Sequence, residues 1–233
     1  MRRGRPPGSQ GSRPESPAQR ADLWSGRADA YRSAVEHAEG ADLDLIVSWC
    51  AREAETALDV ATGGGHVARA LRSAGVLVTT LDPAPGMGAD VIARAEDIPF
   101  ADASFDAVVT RIAPHHFDDV RLAVREMARV ARRLVVVADT LHAGDEVEEA
   151  ERLRDPTHVR SYSEDEWRRF LEGAGLTVEA SERFEKRRPV AAWLERTGCE
   201  GELADRVREL LADRIVDGDY VDEKILLKAR KGA

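Results

Sequence analysis

The sequence predicts a doubly wound α/β domain around a mostly parallel sheet of seven strands. Three observations predict it. Short apolar runs alternate with amphipathic helical stretches from Ala57 to Asp139, a pattern that needs crossover helices and therefore a sheet covered on both faces. A glycine cluster, Gly63-Gly64-Gly65, lies between the first run and the helix after it. The second run ends on an acid, Asp82, seventeen residues past Gly65.

Taken in order, residues 1–21 combine Pro, Gly, Ser, Gln and Arg without apolar periodicity, which predicts a disordered tail ahead of one domain spanning 22–233. From Ala28 the spacing turns helical through Tyr31 and Val35. Leu43, Leu45, Ile46 and Trp49 continue it, so two helices precede the first strand. Strands are expected near 56–61, 76–81, 90–93, 106–111 and 134–139, with helices near 66–73 and 119–131. Ser163, with Glu166 three residues on, forms a capping box that opens a helix carrying Trp167, Phe170 and Leu171. Strand-like segments 176–180 and 224–229 flank a helical stretch from Val190 to Asp213, which predicts an antiparallel last strand at the sheet edge.

Composition narrows the function. The chain has 233 residues, 43% hydrophobic and 33% charged, and no run approaches the roughly 18 apolar residues of a membrane helix. A net charge of −9 excludes a surface built to follow a phosphate backbone, so no nucleic-acid partner is expected. Two distant cysteines, Cys50 and Cys199, offer neither a CxxC pair nor a disulfide framework, which points to a reducing cytoplasm and to no metal site.

The glycine loop sits where open α/β sheets bind ligands, and glycine lets the backbone turn tightly and approach a ligand closely. Asp82 falls where a carboxylate can accept both hydroxyls of a ribose. Together they predict an adenosine-type cofactor. Spacing alone leaves a dinucleotide open, because Gly63, Gly65 and Ala68 also satisfy G-x-G-x-x-A. Asp59 stands against it, since a carboxylate four residues before the first glycine would repel a pyrophosphate and suit an ammonium.

The segments YRSAVEHAEGADLDL (31–45), DVATGGGHVA (59–68), LDPAPGM (81–87), AEDIPFADASFDAVVTRIAPHHF (95–117) and RDPTHVRSYSEDEW (154–167) resemble the class I S-adenosylmethionine-dependent methyltransferases. The likeness is greatest to the small-molecule group that includes the ubiquinone and menaquinone C-methyltransferases. It implies a Rossmann-like domain that binds S-adenosylmethionine and methylates a small molecule. By the resemblance, Asp59 steadies the glycine loop and the amino-acid end, while Ala61, Gly63 and Gly65 supply close backbone. Asp82 holds the ribose, Pro83 and Met87 flank the adenine, and Ala95 and Glu96 lie at its edge. Residues Arg111 to His116 face methionine and acceptor, and Tyr31 and His37 belong to a cover over the site.

The family's pattern is departed from at three places. Most of a helix is lost between Asp82 and Ala95, its adenine acid aligns with Arg94, and Ala131-Arg132-Arg133 replaces a Pro-Gly-Gly turn. A more open adenine pocket follows, and a protein that kept the fold without catalysis is the alternative these losses raise. Methyl transfer needs alignment above all, with a base where the acceptor carries a proton. His115 and His116, after the fourth strand, are the candidate bases; His158 and Arg160 are candidates for holding the acceptor.

Overall fold

The computed structural model describes residues 16–33 and 38–232. Strands β1 (Thr56–Val60), β2 (Leu77–Asp82), β3 (Val91–Ile92), β4 (Phe105–Arg111) and β5 (Ala131–Thr140) run parallel, joined by β6 (Leu176–Pro189), β7 (Ile215–Val216) and β8 (Asp219–Lys231). The order across the sheet is β3-β2-β1-β4-β5-β8-β6, with the short β7 paired to β8. Central strands are apolar on both faces because helices cover both: Leu134 to Ala138 on β5 are wholly buried.

Helix α1 spans Pro17–Ser33 and α2 Ala41–Glu53, the latter burying Leu43, Ile46 and Cys50 against the sheet. Helices α3 (His66–Ser73) and α4 (Val120–Val130) are the crossovers after β1 and β4. The Asp119 carboxylate caps α4 by accepting from Arg121 N and Leu122 N, each at 3.0 Å. Helix α5 spans Asp145–Arg154, and α6 (Glu164–Gly173) opens on the Ser163–Glu166 capping box as expected. Helices α7 (Val190–Glu195) and α8 (Gly201–Leu210) complete the chain's set among the described residues.

Four expectations need correction. The last strand is antiparallel but interior, lying between β5 and β6. Its Ile225, Leu226 and Leu227 are wholly buried and need cover on both faces, whereas β6 carries SERFEKRR and tolerates the edge. The stretch 190–213 is two helices, parted at Gly198 and Gly201, which both take left-handed φ values. Helix α5 was not foreseen at all. Finally, the tail's end is ordered from Pro17: Ser16 N donates to Gln19 Oε1 (2.8 Å) and Gln19 N to Ser16 Oγ (3.2 Å), a reciprocal cap with proline in the first turn. Residues 1–15 lie outside the described residues.

Candidate active site

The carboxyl ends of β1, β2 and β4 open onto a cavity of about 440 Å³, the size of a small-ligand pocket. Strand β1 delivers Asp59 to its floor, 1% exposed. One Asp59 oxygen accepts from Thr62 Oγ1 (2.6 Å) and from Ala68 N (3.2 Å), tying the glycine loop to the strand and to the first turn of α3. Burial pushes this carboxyl up to about 6. The loop itself needs left-handed backbone at Ala61 (φ 55), Gly63 (φ 50) and Gly65 (φ 75). A Cβ on Gly63 would meet nothing within 4 Å, so the space beside it belongs to the cavity.

Asp82 ends β2 and is buried, with its ordinary carboxyl range raised by that burial. Its two oxygens accept one backbone N–H each, from Gly63 (2.9 Å) and Ala84 (2.9 Å). Each oxygen therefore keeps a second acceptor site, and the side chain lines the cavity. That is the acceptor chemistry a vicinal diol requires, and it fits the ribose of an adenosine-type group.

The cover over the cavity is α1. Trp24, Ala28, Ala84 and Met87 pack together, Arg32 donates to the Gly86 carbonyl (2.9 Å), and Gly86 N donates to Ser25 Oγ (3.0 Å). His66 meets the Tyr31 carbonyl at 2.9 Å, joining the same helix to the glycine loop. Pro17, Ala18, Arg20 and Ala21 line the cavity too, so α1 forms the wall beside the shortened segment after Asp82. At the rim, Arg94 bonds Asp118 (2.7 Å) and pairs with Glu96 (3.1 Å), while Arg20 also pairs with Asp118.

Of the predicted site residues, Asp59, Ala61, Gly63, Asp82, Pro83, Met87, Ala95, Glu96, Arg111, His116 and Tyr31 line the cavity. Arg111 is held from below by Asp42 of α2, with Nε to Oδ2 at 2.7 Å and Nη2 to Oδ1 at 3.1 Å. Gly65 stands behind the loop as the cap residue of α3. His37 lies outside the described residues.

Besides Gly65, three of the predicted residues do not line the cavity. In the turn Pro114–His116 the adjacent imidazoles lie side by side, ring centroids 4.1 Å apart, yet only His116 lines the cavity. His115 goes under the site, where Nδ1 lies 2.5 Å from Asp139 Oδ1, and burial holds the imidazole down at about 3 and lifts the Asp139 carboxyl to about 7. His158 is buried against Glu148 of α5, Nε2 to Oε2 at 3.0 Å. Arg160 is exposed and bound to Glu166 at 2.8 Å.

His116 faces the cavity, edge-on to Trp24 with ring centroids 4.8 Å apart. Burial and the neighbouring His115 lower it to about 3, so the ring is neutral at physiological pH. Sequence reading missed Trp24 and Thr157. Trp24, Ala28 and Tyr31 share one face of α1 at helical spacing, a signal masked by the tail composition. Thr157 gave none.

A doubly wound sheet, a glycine loop at its carboxyl edge and an acid with free acceptor sites define a protein built to hold an adenosine-type cofactor. The methyltransferase domain model matches residues 58–138. The chain is 31% identical over 211 residues to the uncharacterized methyltransferase YcgJ of Bacillus subtilis, covering 81% of this chain and 82% of that protein. The crystal structure of YcgJ superposes with a TM-score of 0.74 at 26% identity, over 82% of this chain and 98% of that one. Demethylmenaquinone methyltransferase of Thermotoga maritima is 35% identical over 91 residues, 34% of this chain and 40% of that protein. The chain belongs to the class I S-adenosylmethionine-dependent methyltransferases, and S-adenosylmethionine is its cofactor. A nicotinamide cofactor is thereby set aside.

Proposed function

We propose that this chain methylates a small-molecule acceptor bound between α1 and the turn Pro114–His116, with His116 accepting the acceptor's proton. The observation that carries it is the placement of one neutral imidazole and two aromatic rings, Trp24 and Tyr31, beside the glycine-loop cavity and under a helical cover. When bound, S-adenosylmethionine supplies a methyl group on a sulfonium sulfur.

Asp82 would hold its ribose hydroxyls, the Gly63 backbone would lie against it, and Asp59 would keep that loop in place. Pro83 and Met87 would flank the adenine, with Ala95 and Glu96 at its edge. Trp24 and Tyr31 exclude water from the acceptor and orient a planar ring. His116 would take the proton that the acceptor's attacking atom sheds, while the cavity walls would hold that atom in line for methyl transfer. Holding the reactants in line supplies the larger part of the acceleration, up to roughly 7–11 kcal/mol. A quinol-like ring suits this aromatic cover, and the demethylmenaquinone enzyme among the relatives supports that acceptor chemistry.

Calorimetry with S-adenosylhomocysteine, followed by a screen of quinols, phenols and amines, tests the reading. One site per chain is expected, with turnover on an acceptor lost in His116→Asn while homocysteine-product binding persists. Full turnover in that variant would remove His116 from the chemistry.

A further inference from the structure

The segment Arg154-Asp155-Pro156-Thr157-His158 lies outside the cofactor loop and behind the acceptor side of the cavity, yet it is almost wholly buried. Asp155 and Thr157 are both 0% exposed. Asp155 is surrounded by donors: Thr157 N at 3.0 Å, Thr157 Oγ1 at 2.7 Å, and Arg27 Nη1 at 3.2 and 3.1 Å from its two oxygens. Against burial, the Arg154 and Arg27 guanidiniums and the Thr157 hydroxyl hold this carboxyl well below the usual range. An ionised carboxylate can only accept.

The Thr157 hydroxyl has one proton, and the short contact to Asp155 takes it. Its oxygen is also 3.1 Å from His116 Nδ1. With the hydroxyl proton committed elsewhere, that oxygen can serve the ring only as an acceptor, so Nδ1 must carry the imidazole proton. A neutral ring with its proton on Nδ1 has its lone pair on Nε2, which makes no hydrogen bond to the described residues.

We propose that Thr157 is a positioning residue that locks His116 in the Nδ1–H tautomer, leaving the Nε2 lone pair to the cavity. Asp155 orients the threonine, and Arg27 of α1 holds Asp155, so the cover helix and the base are linked through one chain of hydrogen bonds. The inference rests on the proposed role of His116 and narrows the acceptor to one whose attacking atom sheds a proton as the methyl bond forms: a hydroxyl or an acidic carbon. A tertiary amine or thioether would have no use for a lone pair held ready in this way.

Long-range proton–nitrogen correlation spectra of the full chain, labelled with nitrogen-15 at histidine, read the tautomer directly, with His116→Asn providing the assignment. The wild type should show the Nδ1–H pattern at His116. Thr157→Ser should keep it, and Thr157→Val should lose it to a mixture or to the Nε2–H form. A wild-type Nε2–H pattern, or an unchanged Nδ1–H pattern in Thr157→Val, would overturn the proposal. If Thr157→Val does not fold, the wild-type and Thr157→Ser spectra still decide. Failure of the methyl-transfer reading would appear separately, as absent S-adenosylhomocysteine binding, and would leave the tautomer where it is.

Discussion

Gly86 and Ser25 meet so closely that no side chain fits between them: a Cβ on Gly86 would come within 2.7 Å of the Ser25 Cα. The atom in the way is backbone of α1, not the end of a flexible side chain. Gly86 N also donates to Ser25 Oγ and the Gly86 carbonyl accepts from Arg32, so this turn is the seat of the cover helix.

Gly86→Ala should therefore displace α1 while leaving the sheet intact. Trp24 would lose its contact with Met87 and His116, shifting its fluorescence to the red, and S-adenosylhomocysteine binding should weaken at least tenfold, about 1.4 kcal/mol. Unchanged affinity would mean that α1 is not part of the site's enclosure.

Gly63 is the complementary case. Its φ of 50° disfavours a side chain by about 1–2 kcal/mol, yet a Cβ there enters open cavity. Gly63→Ala should lower the melting temperature by a few degrees and abolish measurable cofactor binding, because the methyl occupies ligand space. A variant that binds as wild type would place the ligand away from this loop.

The half of the site that lies within one βαβ unit was legible in the sequence, because strand, glycine loop, helix and acid are fixed by local backbone demands. Asp59, Gly63 and Asp82 stand where their spacing put them. Residues brought in from a distance were legible only in part. Thr157 meets His116 across 41 positions, and only the packing of α5 and its following turn decides that. Two adjacent histidines look alike in sequence; the turn at Pro114 separates a cavity-facing ring from one buried on Asp139. Helix α5 reads DEVEEAERLR, with too few apolar positions to show a face, and its burial follows from ion pairs such as Arg154–Glu151. The cap at Ser16 was present as S-P-A-Q and was hidden by a composition typical of disorder.

The buried pair His115–Asp139 sets a pH signature. His115 and His116 titrate near 3 when folded against an ordinary 6.5, so between those values the unfolded chain binds more protons and stability falls as pH falls. Asp139, raised to about 7 from 3.8, has the opposite sign: its protonation favours the folded state as pH falls from 7. Asp59, raised to about 6, adds to that side. The wild type should therefore be nearly as stable at pH 5 as at pH 7.5 in urea unfolding. Asp139→Asn removes one offsetting group and should lose about 2 kcal/mol on the same acidification. Parallel urea midpoints in the two proteins at both pH values would refute the assignment.

Asp82 joins the glycine loop to the ligand side of the cavity, and its two jobs can be separated. Its Oδ2 accepts from Gly63 N and its Oδ1 from Ala84 N, so Asp82→Ala must loosen the loop as well as remove the acceptor for a diol. Charge-assisted hydrogen bonds of this kind are worth about 1.5–3 kcal/mol each, so S-adenosylhomocysteine should bind at least tenfold more weakly. Loop disorder alone would penalise every ligand equally. Loss of a ribose contact penalises only ligands that carry the hydroxyl. Comparing S-adenosylhomocysteine with its 2′-deoxy analogue separates the two: wild type should prefer the ribose form clearly, and Asp82→Ala should bind both with similar, weaker affinity. A variant that keeps the wild-type preference would show that Asp82 organises the loop and that another acceptor holds the ribose.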